Sequence, residues 1–457
     1  RDASYLFAPG KRVGYFPSVS AGWRITEEPF MQKWLGQESV LSDLKLRGSY
    51  GVLGDDRRPG STDPLVTPFA YLEGYRYNAG TSILNAVPGQ PGVPVTASAD
   101  RGIAISNISW LRSKITDIGL DFGMFNKKLT GTLDYFYRKR TGLLARKYDI
   151  LVPSEIGYAL PEENLNSDAQ FGMEGSLNYN GTVGKFTYNI GGNASYSRSK
   201  FLSSYKPVFF NSWDQYRNSQ ENRLSKINWG YIVTGQFQSQ EEINNYTVNI
   251  DGQGNRTLLP GDLIYQDQNG DGKINGFDER PIGYGVGTQP NINFGFTIGI
   301  GYKLFDFHAD FSGGAGFTWY QNWETKWAFQ NDGNLNTIFL DRWHRADVFD
   351  LNSAWIPGKY PANRFNEGGH NNYNNSNSFW AHNVKYLRMR TLELGYTLPE
   401  PIAKRVRIQR ARFYINAYNL FSIDNLKEFA VDPEVTDENG LQFPQNKFIN
   451  LGINLSL

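Results

Sequence analysis

Apolar residues recur at every second position through most of this chain, and that period restricts the fold more than any other feature. At the C-terminus Ile449, Leu451, Ile453, Leu455 and Leu457 share one face, while Phe448, Asn450, Gly452, Asn454 and Ser456 share the other. A strand with one aliphatic face and one small or amide face fits between lipid and a wet lumen. Taken singly, it fits a soluble sandwich as well, with the aliphatic face on a dry core. Repetition and length separate the two. Leu44, Leu46 and Tyr50 alternate with Lys45, Arg47 and Ser49, and Ile118, Leu120, Phe122 and Met124 alternate with Gly119, Asp121 and Gly123. After the turn Asn126-Lys127-Lys128, Leu129, Leu133, Tyr135 and Tyr137 alternate with Thr130, Thr132 and Asp134. A second hairpin pairs 172–180 with 186–196 across Gly181-Thr182-Val183-Gly184, a third pairs 291–302 with 307–317, and 386–398, 411–421 and the terminal strand follow. With 19–25 included, the pattern predicts about eleven long strands of roughly 8 to 12 residues; soluble strands average about five or six, and membrane barrel strands need about nine to eleven.

The connections alternate too. Turns after Phe125, Asn180 and Tyr302 are short, whereas the opposite ends carry the excursions 53–115, 142–168, 199–290 and 318–384. Short turns on one side and long loops on the other mark an outer-membrane barrel, and a propeller or sandwich spaces its turns more evenly. Two segments break the rule, Glu27–Gln37 and Pro399–Val406; the second reads as a brief helix because Pro401 precedes Ile402-Ala403-Lys404-Arg405. The expectation is therefore all-β: a transmembrane antiparallel β-barrel with long extracellular loops.

Composition agrees where bulk hydropathy is silent. The chain is 40% hydrophobic, as a soluble protein would be, yet it has 48 Gly, 27 Tyr, 30 Phe and 11 Trp. Barrel interfaces carry such aromatics as girdles. No apolar run approaches the roughly 18 to 20 residues of a spanning helix, which excludes a helical membrane protein. The absence of Cys removes thiol-based sites and suits periplasmic passage. A net charge of +1 offers nucleic acid no field. The chain opens Arg1-Asp2-Ala3-Ser4, with neither an initiating Met nor a signal peptide, and about eleven strands cannot close with an even count. The expectation is a piece of a longer protein whose missing strands lie upstream, or else one strand overlooked.

Several stretches then resemble a known family in their order and spacing. They are Gly14-Tyr15-Phe16-Pro17-Ser18-Val19-Ser20-Ala21-Gly22-Trp23, Leu41-Ser42-Asp43-Leu44-Lys45-Leu46-Arg47-Gly48-Ser49-Tyr50-Gly51 and Gly119-Leu120-Asp121-Phe122-Gly123. Gly230-Tyr231, Gly235-Gln236-Phe237-Gln238-Ser239 and Pro260-Gly261-Asp262 come next, then His382-Asn383-Val384-Lys385-Tyr386-Leu387-Arg388-Met389-Arg390, Gly395-Tyr396 and Asn416-Ala417-Tyr418-Asn419-Leu420-Phe421. Together they resemble the SusC/RagA family of TonB-dependent outer-membrane transporters from Bacteroidota. The resemblance implies a barrel of about 22 strands with an N-terminal plug, residues 1–457 being its C-terminal part. It also implies energy from the TonB–ExbB–ExbD complex and a SusD-like surface lipoprotein acting as lid. Oligosaccharides or peptides would be the cargo. The plug, the TonB box and the remaining strands are not in these residues, and Leu457 stands where such barrels usually end in an aromatic residue. A passive porin-like channel and a secreted glycan-binding β-protein are the alternatives.

Two local motifs remain. Asp267-Gln268-Asn269-Gly270-Asp271-Gly272-Lys273-Ile274-Asn275-Gly276-Phe277-Asp278 matches an EF-hand-like loop. Asp267, Asn269 and Asp271 would offer side-chain oxygens to Ca2+, Lys273 its carbonyl, and Asp278 would close the site, fixing an external loop. A solvated Asx/Gly turn needs no ion and is the alternative. Trp319, Trp323 and Trp327 recur every fourth residue, as on one helix face, and would touch substrate or lid, or else pack the loop down. No enzyme is expected: His308, His344, His370 and His382 lack ligand spacing, and no nucleophile elbow or Walker loop occurs. Lys45, Arg47, Asp121 and Asp134 read as a hydrated wall.

Overall fold

A computed structural model of the chain describes residues 1–35, 40–85, 88, 92–147, 150, 153, 155, 157, 160–284, 289–329, 333–364, 370–405, 407–434, 441–443 and 445–456. Gln37, Val406 and Leu457, which belonged to expectations above, lie outside them. The main sheet runs through β1 (Ser18–Arg24), β2 (Leu41–Asp55), β3 (Leu111–Met124), β4 (Leu129–Arg146), β5 (Glu162–Val183), β6 (Phe186–Ser203), β7 (Ile292–Tyr302), β8 (Phe305–Tyr320), β9 (Ala381–Thr397), β10 (Arg410–Tyr418) and β11 (Phe448–Ser456). Every neighbour in space is a neighbour in sequence, and every pairing is antiparallel. This is the up-and-down meander of a β-barrel. Among the described residues β1 and β11 each pair on one edge only.

The register sorts the side chains into two faces. Directly opposed residues point the same way, so a row can be followed from strand to strand. Val183, Phe186, Tyr302, Phe305, Tyr396, Phe413 and Ile453 form one unbroken apolar row across β5 to β11, at the short-turn end. The rings pair along it, Phe186 with Tyr302 at 4.2 Å and Phe305 with Tyr396 at 4.8 Å. Farther in, Leu129, Tyr179, Ile190, Ile298, Ala309, Leu392, Ala417 and Ile449 make a second row on the same face. The opposite face reads Asn189, Gly299, His308, Glu393, Asn416 and Asn450. The apolar face is left open: Val183 is 66% exposed, Phe305 60% and Leu451 82%. A soluble sheet would bury such a face against a second layer, because a patch of that extent aggregates in water. Acyl chains are the medium that matches it. The aromatic row is the girdle at one membrane interface, and the chain is a transmembrane antiparallel β-barrel.

The strands are longer than their alternation implied. β5 has 22 residues and β4 and β6 have 18 each, against the roughly nine to eleven that cross a membrane. Because the short-turn ends are level with the girdle, the excess projects past the lipid on the long-loop side. There backbone pairing continues without an apolar face, as at Asn164, Asn166, Ser197 and Arg198, so the period gives no sign of it. One expected strand is divided. β10 stops at Tyr418, Asn419 takes a left-handed φ of 52°, and pairing resumes at Ser422–Asp424 against β9. The segment 419–447 is thus a fifth excursion, additional to the four expected. The two irregular short-side connections hold the helices Pro29–Leu35 and Glu400–Arg405.

Candidate functional site

On the polar face the charges are paired. The Arg47 guanidinium donates to Asp121 at 3.0 Å, Asp117 at 3.4 Å and Asp134 at 2.6 Å, and Lys45 lies 3.8 Å from Asp121. Gly119 lies opposite Arg47, and a Cβ there would stand 2.4 Å from Asp134 and 2.5 Å from Arg47; the missing side chain makes the room. Arg412 bridges Asp306 and Glu393, and His308 lies 2.9 Å from Asp310. These ion pairs make a charged wall on the inward face, as expected of Lys45, Arg47, Asp121 and Asp134, with Asp134 buried beneath Arg47.

The fifth excursion lies against this inward face. Phe317, Trp319 and Val384 pack with Leu426, Phe429 and Val431, and Arg388 pairs with Asp432 at 2.7 Å and Glu434 at 2.6 Å. Burial of both partners and several hydrogen bonds per charge make such a contact costly to break. Its described part is thereby fixed on the inward face of β8 and β9.

The described parts of the excursions 204–291 and 321–380 pack together into one external body. Its apolar part contains Phe237, Ile243, Leu258, Leu263 and Tyr265 from the first excursion. Phe339, Tyr360, Tyr373 and Trp380 come from the second. A buried polar network joins the two. Asp262 is fully buried; it accepts from Arg364 at 2.5 Å, from the Asn372 amide at 2.7 Å and from the Leu259 N–H at 2.7 Å. The Tyr265 hydroxyl donates to the Asn371 carbonyl at 2.7 Å and accepts from Asn377 at 3.2 Å, and the Trp380 indole donates to the Asn372 carbonyl at 2.7 Å. Burial and the Arg364 charge press the His370 pKa down to about 4, so the ring is neutral at pH 7. Gly261 permits the approach of Trp343, whose ring a Cβ would meet at 2.2 Å. Sequence reasoning noticed Pro260-Gly261-Asp262 only as a family stretch and missed the partners, which lie more than a hundred residues away. The asparagine-rich run 370–377 was the available signal.

The 267–278 loop is closed by its own backbone. Asp267 accepts from the N–H groups of Gly270 at 2.7 Å and Gly272 at 2.9 Å, Asn269 from Asp271, and Asp271 from Lys273. Asp278 is buried, and its two oxygens accept from Gln268 at 2.9 Å and Asn275 at 2.8 Å, capping the short 3-10 turn Gly276–Asp278. Among the described residues no group of three or more His, Cys, Asp or Glu is placed to hold a metal ion. Asp267 and Asp278 thus each spend both carboxylate oxygens on backbone N–H groups of the loop, Asp267 on the exposed side and Asp278 on the buried one.

The tryptophans do not share a helix face. Trp319 is in β8, opposite His382 and stacked on it at 5.5 Å, with Phe429 at 5.1 Å. The strand runs on through Tyr320 because it still has β9 to pair with. Trp323 starts a 3-10 turn, and its ring lies 6.0 Å from that of Trp327. Trp319 is therefore a packing residue, whereas Trp323 is 48% exposed at the outer rim.

Comparison with known proteins adds the remaining facts. No family model matches the chain. TonB-dependent receptor P26 of Formosa agariphila is 26% identical over 477 residues, taking in 100% of this chain and 43% of that protein. TonB-dependent receptor SusC of Bacteroides thetaiotaomicron is 26% identical over 469 residues, with 99% of this chain and 41% of that protein covered. The solved RagAB peptide importer in its "open-open" state superposes with a TM-score of 0.67 at 20% identity, over 99% of this chain and 44% of that one. The RagAB peptide transporter gives 0.65. The chain spans less than half the length of these relatives, all of them receptors or transporters by name and none an enzyme.

Proposed function

We propose, from the premise that this chain is a barrel of the SusC/RagA type of outer-membrane TonB-dependent receptor, that it forms the C-terminal half of an active importer of large nutrients. A plug in the preceding residues would occlude the lumen, and TonB with ExbB and ExbD would supply the work. No bond of the substrate is made or broken. The observation that carries the reading is the inverted face pattern with its girdle row, matched along its whole length to TonB-dependent receptors. The paired luminal charges and the inward loop 419–434 suit a passage that holds water and discriminates by size.

A SusD-like lipoprotein is the proposed lid, with the external body 204–291 and 321–380, the exposed Trp323 and the half-buried Trp327 as the parts of this chain that meet the lid or the substrate. Oligosaccharides and peptides are both open as cargo. The test is uptake of a labelled oligosaccharide or oligopeptide by cells expressing the whole protein, with and without TonB. Uptake should stop when TonB is removed; uptake that continues unchanged would identify a passive channel. Alanine at Trp323 and Trp327 should weaken capture without disturbing the barrel.

We further propose that Asp267, Asn269, Asp271 and the Lys273 carbonyl take a Ca2+ ion that stiffens the external body, with Asp278 closing the loop behind it. Support comes from three side-chain oxygens at alternate positions in one exposed turn.

A further inference from the structure

Three arginines and three large rings are interleaved on one outer patch of the external body. The helix Ser212–Asn218 contributes Trp213, Tyr216 and Arg217, the segment 223–229 contributes Arg223 and Trp229, and Arg280 follows the 267–278 loop. The Arg217 guanidinium lies 5.1 Å from the Trp229 centroid. Arg223 lies 5.6 Å from Trp229 and 5.8 Å from Tyr216. Arg280 is 4.9 Å from Trp213 and 5.9 Å from Tyr216. Tyr216 stands edge-on to Trp229 at 5.3 Å, and Phe277 abuts Trp213 at 6.0 Å.

The arrangement is held in place before any ligand comes. Arg223–Leu224 pairs with Lys200–Phe201 at the top of β6, and Trp229–Gly230 pairs with Arg280–Pro281. Arg280 also donates to the carbonyls of Phe277 at 2.9 Å and Glu279 at 2.7 Å. The charge is unbalanced. Glu279 answers Arg217 at 2.6 Å, and Asp214 is occupied by Asn218 at 2.6 Å and the Phe210 N–H at 2.9 Å. Among the described residues neither Arg223 nor Arg280 forms an ion pair.

A guanidinium spread over a ring is partly dehydrated on that side and keeps its N–H edge for an anion. Carboxylates and sulfates match that edge with two parallel hydrogen bonds. Tyr216 carries two of the guanidinium groups, and beside it Phe277, 45% exposed, offers a flat apolar face, the complement of the C–H face of a pyranose ring. We propose that this patch binds anionic saccharides, with Arg223 and Arg280 on the carboxylate or sulfate and Phe277 against the sugar ring. This rests on the importer reading for its purpose and narrows the substrate class. The Phe277 face favours a saccharide over an acidic peptide, whose carboxylates hang on flexible chains.

The test is binding to the whole protein purified in detergent, which needs no TonB, so it can fail while import stands and the reverse. Probes are an oligogalacturonate, a heparin-derived sulfated tetrasaccharide, a neutral maltotetraose and an oligoglutamate peptide. One or both anionic sugars should bind, weakening with salt, and the stronger of the two tells carboxylate from sulfate. Arg223→Gln with Arg280→Gln should weaken that binding about ten- to hundredfold, the worth of a charge-assisted pair, while Arg256→Gln on the same excursion leaves it unchanged. Equal binding of maltotetraose and the anionic sugars by the unaltered protein would overturn the proposal, whatever the variants do. Preference for oligoglutamate would overturn it in favour of a peptide site.

Discussion

Replacing Asp262 by Ala should detach the two halves of the external body while leaving the barrel intact. The side chain is fully buried and satisfies Arg364, the Asn372 amide and the Leu259 N–H. Its removal strands a guanidinium whose side chain is only 14% exposed and an asparagine donor that is 1% exposed. Breaking one side of a buried pair costs about 3 to 5 kcal/mol, and the orphaned amide overlaps with that figure, so about 4 kcal/mol is the working value. At about 1.4 kcal/mol per tenfold, local opening becomes nearly a thousandfold more frequent. Native-state hydrogen exchange reads this directly. The amides of Phe237 and Leu263, which bond to the Asp262 carbonyl and the Asn372 side chain, should exchange about two to three orders of magnitude faster. Those of β6 and β7 should not change. Adding Arg364→Met should recover part of the loss, since the stranded charge goes with it. Unchanged protection at Leu263, or equal acceleration in β7, would refute the idea that this network is what joins the two excursions.

Four other outcomes are expected. The His370 pKa of about 4 against an ordinary 6.5 means that the folded body binds fewer protons than the unfolded one; stability is therefore flat above pH 6.5 and falls by up to about 3 kcal/mol toward pH 4. Protease resistance of 204–291 followed against pH should show that fall, and His370→Gln should flatten it. Chelation of calcium should raise cleavage between 262 and 280, and cleavage that stays the same would remove the ion from Asp267, Asn269 and Asp271. Ile190→Arg, on the lipid row and 49% exposed, should cost about 2 to 4 kcal/mol in refolding into bilayers. Asn189→Arg on the inward face should cost little, and equal costs at the two positions would contradict the assignment of faces.

Period two carried the architecture because lipid outside and water inside impose opposite demands on alternate residues. Strand number, the three tight hairpins and the inward placement of the charges Lys45, Arg47, Asp121 and Asp134 were all readable for that reason. Where the environment stops alternating, so does the signal: beyond the lipid β4, β5 and β6 go on pairing without an apolar face, and nothing in residues 162–170 marks them as strand. The every-fourth tryptophans misled because spacing alone cannot tell a helix face from a strand that ends in a turn. Only the register showed Trp319 to face Phe429 across the inner wall.

Pairings between distant segments were beyond any local pattern. Asp262 meets Arg364 and Asn372, and Arg388 meets Asp432 and Glu434, through contacts that depend on which loops the barrel brings side by side. A single chain carries no mark of that adjacency until the strands have ordered it. The sequence by itself determined that this protein must lie in a membrane as a barrel. The tertiary structure decided which of its loops pack on one another and on the inward face, because burial of charge is a property of neighbours in space.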